Sequence, residues 1–359
     1  MSQRENVNPR REQDHRKNSR RYQKRAAARR RRNTIFIVEI VLLLILAVVL
    51  FFMSKLSKIE KTKLDMDKIE VNEDISQESQ KIMKGYQTIA MFGLDNRSNG
   101  NLSQGRSDVI MLANINNDTK EVKLVSVYRD TYLDTGDGIF QKCNAAYAKG
   151  GPEQAISMLN VNLDLNITDY VTVDFNSIIE CVDLLGGVDM EITDDEASLM
   201  TGYIRELNEL TGNKAENLTQ GGTYTLNGVQ ACAYARIRYG GGDDYRRTER
   251  QRTVLTAMVK KAQQSDLTTV NKLINEVCGD IQTSFSNAEL LALASQVFQY
   301  SIGDTTGFPF TKTTKVLSKK TGDVVIPCDL SDNVKELHIF LYEDSAYTAS
   351  DTVKQNSEK

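Results

Sequence analysis

Apolar positions along this chain recur with two different periods, and the alternation of those periods outlines the fold. YQTIAMFGL from Tyr86 is apolar at most positions and reads as a buried strand. DVIMLANI and EVKLVSVY predict two further strands, joined at the turn signal Asn116-Asn117-Asp118. NAAYAKGGPEQAISMLNVNL predicts a loop and a helix, and DYVTVDF a strand. NSIIECVDLLGG predicts a helix closed by Gly186, and VDMEIT a short strand. Strands alternating with helices predict an α/β fold, a mixed central β-sheet flanked by helices in an α-β-α sandwich.

Further along, the pattern thins. Residues 194–225 are polar and predict a peripheral segment, after which LNGVQACAYARIR resumes a buried pattern. Thr248-x-x-Gln251 predicts the capping box of a helix running to about Gln264. Ser286-x-x-Glu289 predicts another, for a helix through Gln299. Residues 266–343 read as a helical and irregular extension with a short helix near Val334–Leu341, and 344–359 as a disordered tail.

Near the N-terminus one segment belongs to a different solvent. Residues 34–53, TIFIVEIVLLLILAVVLFFM, are predominantly apolar and carry a single charge, Glu39. Twenty such residues match the ~20 that a helix needs to cross a hydrocarbon core of ~30 Å. The preceding arm, residues 1–33, is strongly basic: residues 1–32 hold thirteen Lys and Arg against three acids. By the positive-inside rule the arm is cytoplasmic and the rest extracytoplasmic, giving a single-pass protein of the cell membrane. The span is longer than a signal peptide's apolar region and no A-x-A site follows it, so an uncleaved anchor is expected. Residues 54–84 then read as a stalk and 85–265 as the main folded domain. The arm lacks interleaved aromatics and any helix-turn-helix pattern, so its expected partner is anionic lipid, with no nucleic acid.

Composition removes several chemistries. His15 and His338 are the only histidines, which rules out a His-rich zinc site and leaves little for a Ser-His-Asp triad. The five cysteines form no CxxC pair. Cys278 and Cys328 lie beside turn residues and are candidates for a disulfide, which would close a loop of about 50 residues and contribute ~2–4 kcal/mol. Cys143, Cys181 and Cys232 sit in apolar contexts and are expected as free, buried thiols.

What remains is acids and arginines at strand ends. Asp95 follows the first strand in FGLDNR and Asp108 opens the next in GRSDVIML. Two carboxylates there suit a hard cation such as Mg²⁺, with Mn²⁺ as a substitute. Arg97 and Arg106 flank them, and Arg129 follows the third strand. Arg236 and Arg238 alternate in YARIRY, which on an extended segment places both on one face. Arg246, Arg247, Arg250 and Arg252 follow; a surface laced with Asp243, Asp244 and Glu249 is the plainer reading of part of that cluster. Arginine favours bidentate phosphate contacts. Acids and arginines without histidine suit phosphoryl transfer, which depends on charge neutralisation more than on proton relays.

These stretches resemble the LytR-CpsA-Psr family of cell-envelope proteins. GLDNR, GRSDVIML, LVSVYRDTY, KCNAAYAKGG, DYVTVDF, DLLGGVDMEI and LNGVQACAYARIRYGGGDDYRRTERQR come in the family's order and spacing. The resemblance implies transfer of an anionic glycopolymer, such as teichoic acid or capsular polysaccharide, from an undecaprenyl-pyrophosphate carrier to a muramic-acid hydroxyl of peptidoglycan. It implies magnesium at Asp95 and Asp108, and catalytic roles for those acids with Arg129, Arg238 and Arg247. It implies pyrophosphate contacts from Arg97, Arg106, Arg129, Arg236, Arg238, Arg246, Arg247 and Arg250, with Lys142 and Asn144 alongside. The apolar interior between sheet and helices would hold the prenyl chain. Three positions depart from the family pattern: Tyr128 where Pro is common, Cys143 for an aliphatic residue, and Arg246 for a small one. Two other functions stay open on the same residues: a polyprenyl-pyrophosphate hydrolase, and a non-enzymatic membrane-bound regulator of envelope genes.

Overall fold

A computed structural model of the protein describes residues 60–61, 64–94, 102, 105–238, 243–266, 269, 272–273, 281–319 and 321–359. The expected membrane span 34–53 and basic arm lie outside the described residues, as do Asp95, Arg97 and Cys278. Among the described residues no helix is long and apolar enough to cross a membrane. Residues 56–359 form a unit, described here by itself.

In chain order the elements are β1 (Glu60–Lys61), α1 (Gln77–Met83), β2 (Tyr86–Leu94), β3 (Ser107–Asn116), β4 (Glu121–Val127), β5 (Tyr132–Asp134), β6 (Phe140–Lys142), α2 (Ala145–Leu163), β7 (Asp169–Asp174) and α3 (Phe175–Leu184). Then come β8 (Val188–Ile192), α4 (Asp194–Thr211), β9 (Gly222–Leu226), α5 (Gly228–Arg236), α6 (Asp243–Gln264), β10 (Ile281–Thr283) and α7 (Asn287–Ser295). The chain closes with β11 (Ser301–Phe308), β12 (Lys312–Ser318), β13 (Gly322–Pro327), α8 (Leu330–Tyr342) and α9 (Asp351–Ser357).

Seven strands form the central sheet in the order β1-β10-β7-β2-β3-β4-β11. It is mixed: β2 pairs parallel with β7 and antiparallel with β3, and β4 pairs antiparallel with β3 and parallel with β11. Period-two alternation sends Ala90, Phe92 and Leu94 to one face, where α2 and α8 supply Ile156, Leu159, Val334 and Leu337. The opposite face carries Ile89, Met111, Ala113 and Leu124. A further core joins α3, α4, α5 and α6 through Val182, Met200, Ala231 and Val254. Helices thus cover both faces of a mixed sheet, as the strand and helix pattern predicts.

Local signals account for several boundaries. The Asn116 carboxamide accepts from the amides of Asp118 and Thr119, closing the β3–β4 turn. Ser286 and Glu289 form the reciprocal box expected at the start of α7. Gly151, at φ 65°, breaks α2, and Pro152 restarts it.

Four expectations need correction. Residues 194–225 are not merely peripheral: α4 buries Ala197, Met200, Ile204 and Leu207 at three- and four-residue spacing, an apolar stripe diluted by its charged face. The helix expected from Thr248 begins five residues earlier at Asp243, and the Thr248 hydroxyl bonds the Tyr245 carbonyl instead of capping. No domain boundary falls at residue 265, because β10 and β11 are strands of the central sheet itself. The tail 344–359 is ordered. Asp164, fully buried at the end of α2, accepts from the Tyr347 hydroxyl at 2.5 Å and the Ser350 amide at 2.8 Å. Tyr347 stacks on buried His338 at 3.8 Å, and Val353 is buried too. A handful of apolar and polar anchors escapes a composition-based reading. The described part of the expected stalk also packs on the domain, through Ile69, Ile75 and Met83.

Candidate functional site

The site forms where β3 begins and β4 ends, because antiparallel pairing brings those two strand ends to one edge of the sheet. Asp108, on the second residue of β3, accepts a 2.7 Å hydrogen bond from Arg129 Nη1, just beyond β4. Arg238 Nη2 approaches the other carboxylate oxygen at 3.8 Å. Arg247, on α6, reaches the Asp108 main-chain carbonyl at 3.4 Å and Asp244 Oδ1 at 2.9 Å. Asp244 also lies 3.8 Å from Arg129. Asp130 pairs with Lys142 at 3.1 Å and lies 3.8 Å from Arg129. Three carboxylates therefore meet four cations, an excess of positive charge at the mouth of the fold.

Burial makes that excess consequential. Arg247 is 3% exposed, and its Nε and Nη1 have no hydrogen-bond partner. Burial, reinforced by Arg129 and Arg238, pushes its pKa down to about 10 against the pull of Asp244. Desolvating a cation costs several kcal/mol unless counter-charge is well placed. For Arg129 the balance tips the other way. Burial disfavours its charge, but Asp108, Asp130 and Asp244 outweigh that and raise its pKa. Asp244 Oδ2 and Arg129 Nε are likewise buried without a hydrogen bond. Unmet donors around a cationic pocket are the arrangement that an incoming oxyanion would complete.

Main-chain bonds hold the arginine turn. The Arg129 carbonyl accepts from the Asn144 amide at 3.1 Å, and the buried Cys143 thiol lies 3.2 Å from the Tyr128 carbonyl. A second support is aromatic. The Tyr128 and Tyr245 rings meet edge to face at 4.6 Å, with Lys312 Nζ 5.0 Å and 4.5 Å from their centroids.

An apolar cavity of about 140 Å³ lies between the sheet and helices α3, α5 and α6. Leu94, Val109 and Gln251 line it, adjoining in sequence the positions of Asp95, Asp108 and the first turns of α6; Met111, Ile178 and Met258 line its interior.

The arginines expected at one site divide. Arg129, Arg238 and Arg247 converge on Asp108 and Asp244. Arg236 does not join them. It ends helix α5, so the extended geometry that would align it with Arg238 is absent. It pairs with Glu206 at 3.1 Å, stacks on Phe175 and Tyr203 at 5.1 and 5.6 Å, and lines the cavity. Arg250 pairs with Glu196 at 3.0 Å. Arg106 and Arg246 are exposed, and Asn144 is buried behind the arginine turn. Asp130 and Asp244 were missed as site residues, although each adjoins a motif arginine or lies one helical turn from it. Cys328 is a free, exposed thiol just beyond β13, with its sulfur 3.6 Å from the Ile326 carbonyl, and its expected partner Cys278 lies outside the described residues. Cys143 is a free, buried thiol as expected, Cys232 is buried and in no disulfide, and Cys181 is free and partly buried.

Comparison with known proteins finds relatives that share this fold. A polyisoprenyl-teichoic acid--peptidoglycan teichoic acid transferase, TagU of Enterococcus faecalis, is 30% identical over 58% of this chain and 64% of its own length. The chain spans roughly half to two thirds of the curated relatives it matches, 48% in the case of TagV of Bacillus subtilis. Among solved structures, the protein gbs0355 of Streptococcus agalactiae matches 79% of this chain and 94% of its own at TM-score 0.61 and 23% identity. YwtF (TagT) of Bacillus subtilis with bound octaprenyl pyrophosphate matches 73% and 91% at TM-score 0.53 and 20% identity. The LytR_cpsA_psr family matches residues 46–315, and with this span and this fold the chain belongs to that family.

Proposed function

We propose that the protein is a phosphotransferase that moves a glycopolymer from an undecaprenyl-pyrophosphate carrier to a muramic-acid hydroxyl of peptidoglycan. One observation carries the reading: Arg129, Arg238 and Arg247 gather on Asp108, and the next residue of the same strand, Val109, lines an apolar cavity. A diphosphate attached to a prenyl chain combines those two properties in one molecule. The octaprenyl pyrophosphate bound to YwtF supports the same assignment.

In this reading the arginines bind the diphosphate oxygens and neutralise the charge that grows as the phosphoanhydride bond breaks. The acceptor hydroxyl oxygen forms the new phosphodiester bond as the phosphoanhydride breaks, prenyl phosphate leaves, and the hydroxyl proton passes to a carboxylate of the site or to the leaving phosphate. Lys142 holds Asp130 beside Arg129 and keeps that guanidinium oriented.

Magnesium, with Mn²⁺ as substitute, fits the residues present. Asp108 Oδ2 meets its nearest cation only at 3.8 Å, which leaves lone pairs for a hard ion. Among the described residues no group of three His, Cys, Asp or Glu could hold a metal unaided, so substrate oxygens would complete the sphere. Asp108 would hold the ion together with Asp95. The ion supplies Lewis-acid stabilisation of phosphate oxygens. We place the protein at the cell membrane as a single-pass protein with its catalytic domain extracytoplasmic, on the strength of the apolar span 34–53 and its basic flank.

The deciding experiment supplies the full chain in detergent with a lipid-linked glycopolymer and peptidoglycan fragments. Polymer joined to peptidoglycan, dependent on Mg²⁺ or Mn²⁺ and lost in Arg129→Ala, supports transfer. Free glycan phosphate despite abundant acceptor would instead establish a hydrolase, and unchanged activity in Arg129→Ala would remove the site.

A further inference from the structure

A polar groove of about 440 Å³ runs along α6, apart from the apolar cavity. One wall is the helix: Arg252, Thr256 and Lys260 recur every four residues and so share a face. The other wall is β11, from Ile302 to Thr305, an outer strand of the sheet whose register shifts at that point. Asp189 and Lys261 close one side and pair with each other at 3.5 Å.

The groove lining holds three cations, Arg252, Lys260 and Lys261, against one carboxylate, Asp189, with the Glu121 carboxylate abutting Gly303 from β4. Lys260 is exposed and makes no ion pair among the described residues. Arg252 is only 8% exposed. Its Nη1 donates to the Ser126 hydroxyl at 2.8 Å, while its Nε is buried with no acceptor. No carboxylate lies within ion-pair distance of it among the described residues, and burial lowers its pKa against the pull of Tyr128 and Glu249. A buried guanidinium left half satisfied calls for an oxyanion. Threonine hydroxyls at 256 and 305 line the groove as further donors.

We propose that this groove binds the polyanionic chain of the transferred glycopolymer, with successive phosphate groups near Arg252 and Lys260. The two positions are two helical turns apart, about 12 Å. Ser126 lies three residues before Arg129, so the groove begins about 10 Å along the strand from the arginine cluster. A polymer whose terminal phosphate sits at Arg129 reaches it within its first units. The proposal rests on the glycopolymer reading and adds the surface that selects an anionic chain over a neutral one.

The test titrates the full chain in detergent with a short glycerol-phosphate oligomer, a neutral glycan of similar length, and inorganic phosphate. The oligomer should bind, the neutral glycan should not, and added salt should weaken binding. Lys260→Glu and Thr256→Glu, both on the groove wall and outside the catalytic cluster, should each lower oligomer affinity by about tenfold or more, as loss of one charge-assisted contact implies. They should leave the affinity for a short prenyl diphosphate unchanged. Failure of the wild type to bind the oligomer, or equal affinity in both variants, overturns the groove. Binding of inorganic phosphate as tight as the oligomer overturns it in favour of a simple anion site. If Arg129→Ala leaves prenyl diphosphate binding intact while the groove variants still lose the oligomer, the diphosphate site fails and the groove stands.

Discussion

Arg129 Nη1 donates to Asp108 Oδ1 at 2.7 Å across 21 residues of chain, and this bond ties the end of one central strand to the start of its neighbour. Arg238 leans on the same carboxylate. Asp108→Asn keeps the shape but removes the charge that holds both guanidinium groups. Transfer from a lipid-linked polymer is expected to fall about 10²–10³-fold, the range seen when one preorganised electrostatic contact is lost. Near-normal turnover in this variant would separate Asp108 from the chemistry.

Arg247 is a cation buried for a purpose other than stability. Its pKa near 10 lies below the ordinary guanidinium value, so the unfolded chain holds that proton more tightly than the folded one. Stability is therefore expected to rise as pH climbs through about 10 and above, and the charged form weakens the fold throughout the neutral range. Arg247→Met paired with Asp244→Leu, which replaces both charges by apolar groups, should raise the melting temperature by about 2–4 °C in ligand-free protein while removing diphosphate binding. A lower melting temperature would mean that the Asp244 contact outweighs burial.

His338 gives the opposite end of the pH range its own signature. It is fully buried, bonded to the Leu163 carbonyl at 3.0 Å, and burial lowers its pKa. The folded state then carries it neutral where the unfolded state takes up a proton. Its contribution is present above the unfolded value of about 6.5 and is lost as pH falls below it. Urea titrations should show this loss in wild type, and a smaller slope between pH 7 and pH 5 in His338→Gln. An unchanged slope in that variant would assign the acid sensitivity elsewhere.

The ordered C-terminus can be tested through one hydroxyl. Tyr347→Phe removes the 2.5 Å bond to buried Asp164 and leaves the Asn72 carboxamide and the Ser350 amide to satisfy it. A loss of about 1–3 kcal/mol is expected from chemical denaturation. A cost near zero would show that the tail contributes no tertiary stability.

Thiol chemistry distinguishes the cysteines. Under non-reducing conditions Cys328, free and exposed, should take a maleimide at once. Cys143, fully buried and with its pKa pushed up by burial and by Asp130, should react only after unfolding. Blocked Cys328 in protein never exposed to reductant would establish a bridge.

Much of the sheet was legible because it obeys the two-residue period. Strands β2, β3, β4 and β7 stand where apolar residues cluster or alternate, and Asn116 marks the turn between two of them. Helix α4 was not, since its four buried side chains are outnumbered by acids and threonines that face water. Arg129, Arg238 and Arg247 were legible by residue type, but their division from Arg236 was not. That division depends on where a helix stops, and a stretch such as YARIRY carries no local mark of it. Asp244 read as ordinary helix surface because nothing in sequence announces that Arg129 lies 3.8 Å away. The C-terminal order rests on Asp164, a single acid 180 or so residues upstream, a contact that only tertiary structure reveals.

Strands β10 and β11 flank a sheet whose middle comes from the first half of the described chain. While the polypeptide is being made, β4 and β7 therefore exist before the partners that will cover them. Unpaired strand edges invite pairing with other chains. A ribosome that stalls after α6 would release a product with two open flanks, prone to aggregate, so this protein depends on finishing its own translation more than its early strands suggest.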